Sequence, residues 1–224
     1  MQLLDKIEKR RFVGREFLLM LWFESEIFDA TLSTQKHGPF GLWLEKRLTL
    51  SEGKCSTRIL ALQPGLGREA KEALLAGQLP ESAGIRIAWR DDETGFSFKA
   101  EHLAVAGLKL RSVLDQDNEP PSALIEEMKR AGRGRGVRKL PKPDDEAHEA
   151  FYERMQLTEE FEDLLEALYA DFCKLRLSDA WSSQVVPWLR AWAQGEVIDA
   201  DAYAALKAST TSRISTSQSP KISA

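Results

Sequence analysis

Metal-ligand motifs, a surplus of positive charge and long apolar runs are all lacking in this chain. The two cysteines, Cys55 and Cys173, stand far apart, with no partner at zinc-ligand spacing. The three histidines, His37, His102 and His148, form no HExxH or HxH arrangement. No metal and no other cofactor is therefore expected. Lysine and arginine number 31 against 35 acids, a formal charge of −4, so the chain as a whole has no bias towards nucleic acid. Any such binding must come from a local patch. A GxSxG elbow and a Walker lysine are missing too, and GLGRE at residues 65–69 reads as a strand-to-helix turn. An enzyme is not expected. The scarce cysteines, with an opening MQLLDKIEKRRF that has no secretory apolar core, point to a reducing, cytoplasmic setting.

What is there begins with RFVGREFLLMLWFESEIF at residues 11–28, the densest apolar stretch of the chain. It is too short and too closely flanked by charge to span a bilayer, which takes about 20 apolar residues. Hydrophobic nearly all round, it reads as a core helix from about residue 15 to 28, covered on several sides. A separate short amphipathic helix is expected before it, at residues 2–11.

Alternation then takes over. FGLWLEKRLTLS places Phe40, Leu42, Leu44, Leu48 and Leu50 on one face of a strand, with Lys46 as the exception on that face. Ser51-Glu52-Gly53 reads as a hairpin turn, and a second strand is expected from about residue 54 to 63. REAKEALLAGQ is a short helix stopped by Gly77, and Pro80 begins a linker. GIRIAWRDD, FSFKAEHLAV and LKLRSVL supply three more strands, with His102 in the middle one. Asp91, Asp92 and Glu93 read as a solvated turn rather than a metal site for phosphodiester cleavage.

The expected architecture is α+β. An antiparallel sheet of about five strands, meander-like and packed by N-terminal helices, occupies residues 1–114. A Pro/Gly-rich linker follows at 115–143. A C-terminal helical hairpin spans 144–207, with Pro187 kinking or starting its second helix. A Ser/Thr-rich tail at 208–224 is expected to be disordered.

Two charge features stand out. The linker holds Lys129, Arg130, Arg133, Arg135, Arg138, Lys139 and Lys142 with no acid among residues 129–142. Flexible basic arms of this kind bind phosphate backbones without reading sequence. Lys9, Arg10 and Arg11 could add to that contact, or could simply complement a helix C-terminus. Residues 144–171 then carry eleven acids against one base, Arg154. The basic arm could fold back on that helix, or the helix could dock a basic protein partner.

The order of motifs resembles the RdgC-type recombination-associated protein family, in its shorter, divergent bacterial members. FVGREFLLMLWFESE is similar to the family's FxGxEFLxWLWxxSE segment. GLWLEKRLTLS, EAKEALLAGQLP, IRIAWRDDETGFSFKAEHLAVAGLKL and ERMQLTEEFEDLLEALYADFCKLRLSDAW follow in the family's order. The Arg/Gly-rich insert at 132–142 and the Ser/Thr tail lie outside that pattern. The resemblance implies a non-sequence-specific DNA-binding protein of recombination and replication, whose longer members form ring-shaped dimers and restrain a recombinase. It carries over no residue-level site, because the matching motifs are packing motifs.

Overall fold

The computed structural model describes residues 3–89, 92–108 and 145–216, with the side chains of 3–12, 92, 145–156 and 211–216 set aside. The chain divides into two compact units. One joins Met1–Lys109 with Leu164–Ala224, and the other is Leu110–Asp163. The C-terminal helices from residue 164 onwards thus share a unit with the sheet instead of forming a separate domain.

Helix α1, Leu3–Ile27, is continuous where two helices were expected. Gly14 does not break it. A Cβ at Gly14 would lie 1.9 Å from the Ala100 carbonyl oxygen, so the glycine serves close packing of two backbones. Every residue from Phe17 to Phe23 is buried, each contributing roughly 1.5–3 kcal/mol for a large apolar side chain.

Among the described residues the sheet has six strands: β1 Thr31–Leu32, β2 Phe40–Glu52, β3 Cys55–Ile59, β4 Leu79–Trp89, β5 Asp92–Lys99 and β6 Ala104–Ala106. They pair antiparallel in the order β1-β2-β4-β5-β6, and β3 shares the β2 edge with β1. The expected meander is interrupted because β2 runs beside β4, with β3 displaced to its other edge. The expected strand LKLRSVL lies outside the described residues from position 109 on.

Phe40, Leu42, Leu44, Leu48 and Leu50 all point inward, as their alternation predicts. Lys46 escapes that face through a bulge. The β2–β4 register shifts between Glu45 and Leu48, and Lys46 takes φ +61°, which leaves its side chain exposed. Pro80 belongs to β4 rather than to a linker. It lies opposite Leu50, where the register shifts again, a position that tolerates a missing N–H. The second strand ends at Ile59, short of the expected Gln63, and leaves Leu60 and Leu62 outside the ladder. His102 is not in a strand but at the end of a 3-10 turn, Ala100–His102.

Helix α2, Arg68–Leu75, closes with Gly77 at φ +92°. Its last carbonyls are met by the N–H groups of Gly77 and Gln78. Helix α3, Asp145–Arg176, is a single continuous helix. A π-turn at Trp181–Val185 leads into α4, Val186–Ala193, and Pro187 sits in the first turn of α4. Helix α5, Ala200–Thr216, starts where the Asp199 carboxylate accepts the Ala202 N–H at 3.0 Å. It runs past residue 208, where the unstructured tail was expected to begin.

The central helix is covered from two sides. Phe17 meets Phe98 of the sheet at 5.8 Å and Phe172 of α3 at 5.4 Å. Phe23 meets Trp192 of α4 and Tyr203 of α5 edge-on. The sheet's inner face, α1 and the later helices therefore form one core.

Candidate functional site

The residues expected to contact DNA are not brought together among the described residues. Lys9, Arg10 and Arg11 lie in the first half of α1. Lys129, Arg130, Arg133, Arg135, Arg138, Lys139 and Lys142 fall outside the described residues, and so does Asp91.

The most developed polar constellation is one that the sequence reading passed over. Glu16, Glu24 and Glu26 project from α1 towards the helices and loops that cover it. Glu16 accepts Arg176 Nε of α3 at 2.6 Å, and that guanidinium lies over Trp181. Glu26 accepts the indole N–H groups of Trp22 at 2.6 Å and Trp192 at 2.8 Å. It also pairs with Lys71 of α2 at 2.9 Å, and the Lys71 ammonium sits 4.7 Å from the Trp192 ring centroid. Glu24, 3% exposed, accepts the Tyr203 hydroxyl at 2.7 Å and the Lys207 ammonium on both oxygens. The signal for these pairs was present in the sequence. An acid inside or at the edge of a helix buried all round must find a partner, and Arg176, Lys71 and Lys207 are the cations that answer.

Burial and the Glu24 charge together push the Tyr203 phenol well above its ordinary value. It therefore acts as a donor, and the Glu24 carboxylate as the acceptor. Beside this pair opens a cleft of about 330 Å³, between the end of α1, residues 31–35 and α5. Glu24, Asp171 and Lys207 line it, with the hydroxyls of Thr31, Ser33 and Thr34. Asp171 accepts the Gln35 N–H at 3.1 Å and pairs with Lys174, which also donates to the Gln35 side chain. The carboxylates of this cleft are thus already engaged by donors from their own chain. That arrangement locks helices to the strand-bearing segment.

The outward face of the sheet carries a second group. Trp43 lies across Gly41, where a Cβ would come 2.2 Å from the ring. Arg86, its cross-strand partner, stacks 4.4 Å from the Trp43 ring centroid. Glu45 and Glu93 pair with the same guanidinium. Arg47 donates to Ser97 Oγ at 3.2 Å. Glu93 therefore works as a cross-strand ion-pair partner on β5, which gives one member of the acidic turn a structural task.

The remaining motifs resolve into local structure. His37 packs edge-on against Trp89 and donates its backbone N–H to Thr34 Oγ1. His102 is exposed, 4.0 Å from Glu101. Gly65 lies in a 3-10 turn, Pro64–Leu66, and α2 begins only at Arg68. Cys55 is exposed and Cys173 partly buried, both as free thiols. Among the described residues no three His, Cys, Asp or Glu side chains are grouped to hold a metal ion, and no helix is long and apolar enough to cross a membrane.

Comparison with protein-family models, with curated proteins and with solved structures finds no match to this chain.

Proposed function

We propose that this protein is a non-enzymatic accessory factor of homologous recombination and replication that binds DNA without sequence preference and limits access of a recombinase. The observation that carries this reading is the basic arm, with seven Lys/Arg and no acid across residues 129–142 in a chain whose net charge is −4. Such a segment concentrates positive charge free of acids, and it would occupy the phosphate backbone by displacing counterions. The similarity of FVGREFLLMLWFESE and the motifs after it to the RdgC-type pattern supplies the recombination context. On this reading the protein is cytoplasmic, associated with the nucleoid, and a homodimer.

Fluorescence anisotropy with labelled single-stranded and duplex DNA at two salt concentrations tests the reading. With six or more phosphates neutralised, affinity falls about a thousandfold between 50 and 200 mM salt. Neutralising Arg133, Arg135, Arg138 and Lys139 together removes most of that dependence. No binding to either DNA form at 50 mM salt sinks the proposal.

One observation favours a second reading, in which the acidic helix docks a basic protein partner. Glu159, Glu162 and Glu166 are all exposed along α3, at the spacing of one helix face. Under this alternative, neutralising the arm leaves DNA affinity unchanged, while Glu159→Gln with Glu162→Gln and Glu166→Gln abolishes binding of a labelled polylysine probe.

A further inference from the structure

The connection from β3 to α2 displays three leucines that the core does not take. Leu60, Leu62 and Leu66 are 68%, 87% and 61% exposed, within seven consecutive residues. The segment is pinned from beneath. Pro64 and Gly65 are buried, and Gly65 lies so close to the Trp22 indole that a Cβ would sit 2.3 Å from Nε1. The Leu62 carbonyl accepts the Lys46 N–H at 3.4 Å, and the Gln63 carbonyl accepts the Leu66 N–H at 3.3 Å. The leucines are held outward by a fixed backbone, in a chain that elsewhere buries seven consecutive residues of α1 completely. Clustered exposed apolar side chains on an ordered segment mark an interaction surface.

The charge around the patch selects its occupant. Lys46, brought beside Leu62 by the bulge in β2, is 81% exposed along its side chain and meets Glu45 only at 3.9 Å. Arg58 is exposed on β3, two residues before Leu60. On the α2 side, Arg68 is engaged by Glu72 at 2.6 Å. Glu69 is the exposed acid at the α2 end, so the positive charge, Lys46 and Arg58, lies on the β2–β3 side of the leucines. A second copy related by a two-fold axis would bring Lys46 and Arg58 towards their own counterparts, which like-charge repulsion opposes. DNA has no use for the leucines. We propose that residues 58–68 with Lys46 form a docking site for an acidic amphipathic segment of a protein partner, its leucine or phenylalanine side chains on the patch and its carboxylates on Lys46 and Arg58.

This inference does not depend on DNA binding. The test uses the full chain and a fluorescein-labelled synthetic helix built from leucine, alanine and glutamate, with a lysine-for-glutamate version as control. The acidic peptide binds, and Leu62→Asp weakens binding at least tenfold, as does Lys46→Glu with Arg58→Glu. Because Leu62 is almost fully exposed, Leu62→Asp retains the wild-type melting temperature and the wild-type response to DNA. Three results would each overturn the proposal: no binding of the acidic peptide, equal binding of the lysine peptide, or a concentration-dependent dimer in sedimentation that Leu62→Asp dissolves. The last gives the face to a second copy.

Discussion

Glu24 and Lys207, 183 residues apart in sequence, form a two-pronged ion pair, with the ammonium 2.9 and 2.7 Å from the two carboxylate oxygens. The carboxylate is almost wholly buried and the lysine side chain 16% exposed. A pair so placed has little stabilising value against apolar replacements, but breaking it strands a charge in the core. Lys207→Ala is therefore expected to destabilise the protein by about 3 kcal/mol in urea denaturation, while replacing both partners together, Glu24→Gln with Lys207→Met, costs less. A double variant less stable than Lys207→Ala would contradict this account.

Tyr203 carries the pH consequence of the same cluster. Its phenol is held neutral because ionisation would place a second negative charge beside Glu24 in a buried site. The folded value is raised above the unfolded one, near 10. Tyr203's contribution is thus fully present below that pH and is lost as pH rises beyond it. The chain has three tyrosines, Tyr152, Tyr169 and Tyr203. Ultraviolet titration should show one phenol that ionises later than the others, and Tyr203→Phe should remove that late step.

Gly14 tests the contact between α1 and the sheet. A methyl group there would meet the backbone oxygen of Ala100 at 1.9 Å, and neither backbone can turn aside. In an exposed helix Gly→Ala is stabilising by about 1 kcal/mol. Here Gly14→Ala should instead lower stability by roughly 2–3 kcal/mol, the range of an overpacked core, measured as a drop in the thermal midpoint.

The two thiols should differ in reactivity. Cys55 is exposed on β3, whereas partial burial raises the Cys173 thiol, outweighing a hydrogen bond from Tyr169 that lowers it. At pH 8 dithiobis(nitrobenzoate) should modify Cys55 at the rate of a free thiol and Cys173 at least tenfold more slowly. Equal rates would mean that α3 opens readily in solution.

Periodicity made most elements legible before any coordinates. The inward row of β2, the cover role of residues 17–23 and the helix stop at Gly77 all follow from spacing and residue type. What escaped detection depends on partners distant in sequence. Lys46 looked like a flaw in an apolar row because the bulge that turns it outward exists only in the pairing with β4. The close approach that Gly14 allows was out of reach, because it is set by the Ala100 carbonyl. Glu16, Glu24 and Glu26 looked like flanking charge, although each faces a cation or indole from a segment dozens to nearly two hundred residues away. The Trp43–Arg86 stack was invisible for the same reason. It joins two strands whose pairing skips over β3 and α2.

The burial of every residue from Phe17 to Phe23 also has a consequence for biosynthesis. The helix leaves the ribosome well before Trp192, Tyr203 and Lys207, which cover its far side. At about 5–20 residues per second, that interval is on the order of ten to forty seconds. Until those residues emerge, the far side of the Phe17–Phe23 segment stays uncovered. The nascent chain must shelter that apolar segment by other means until then.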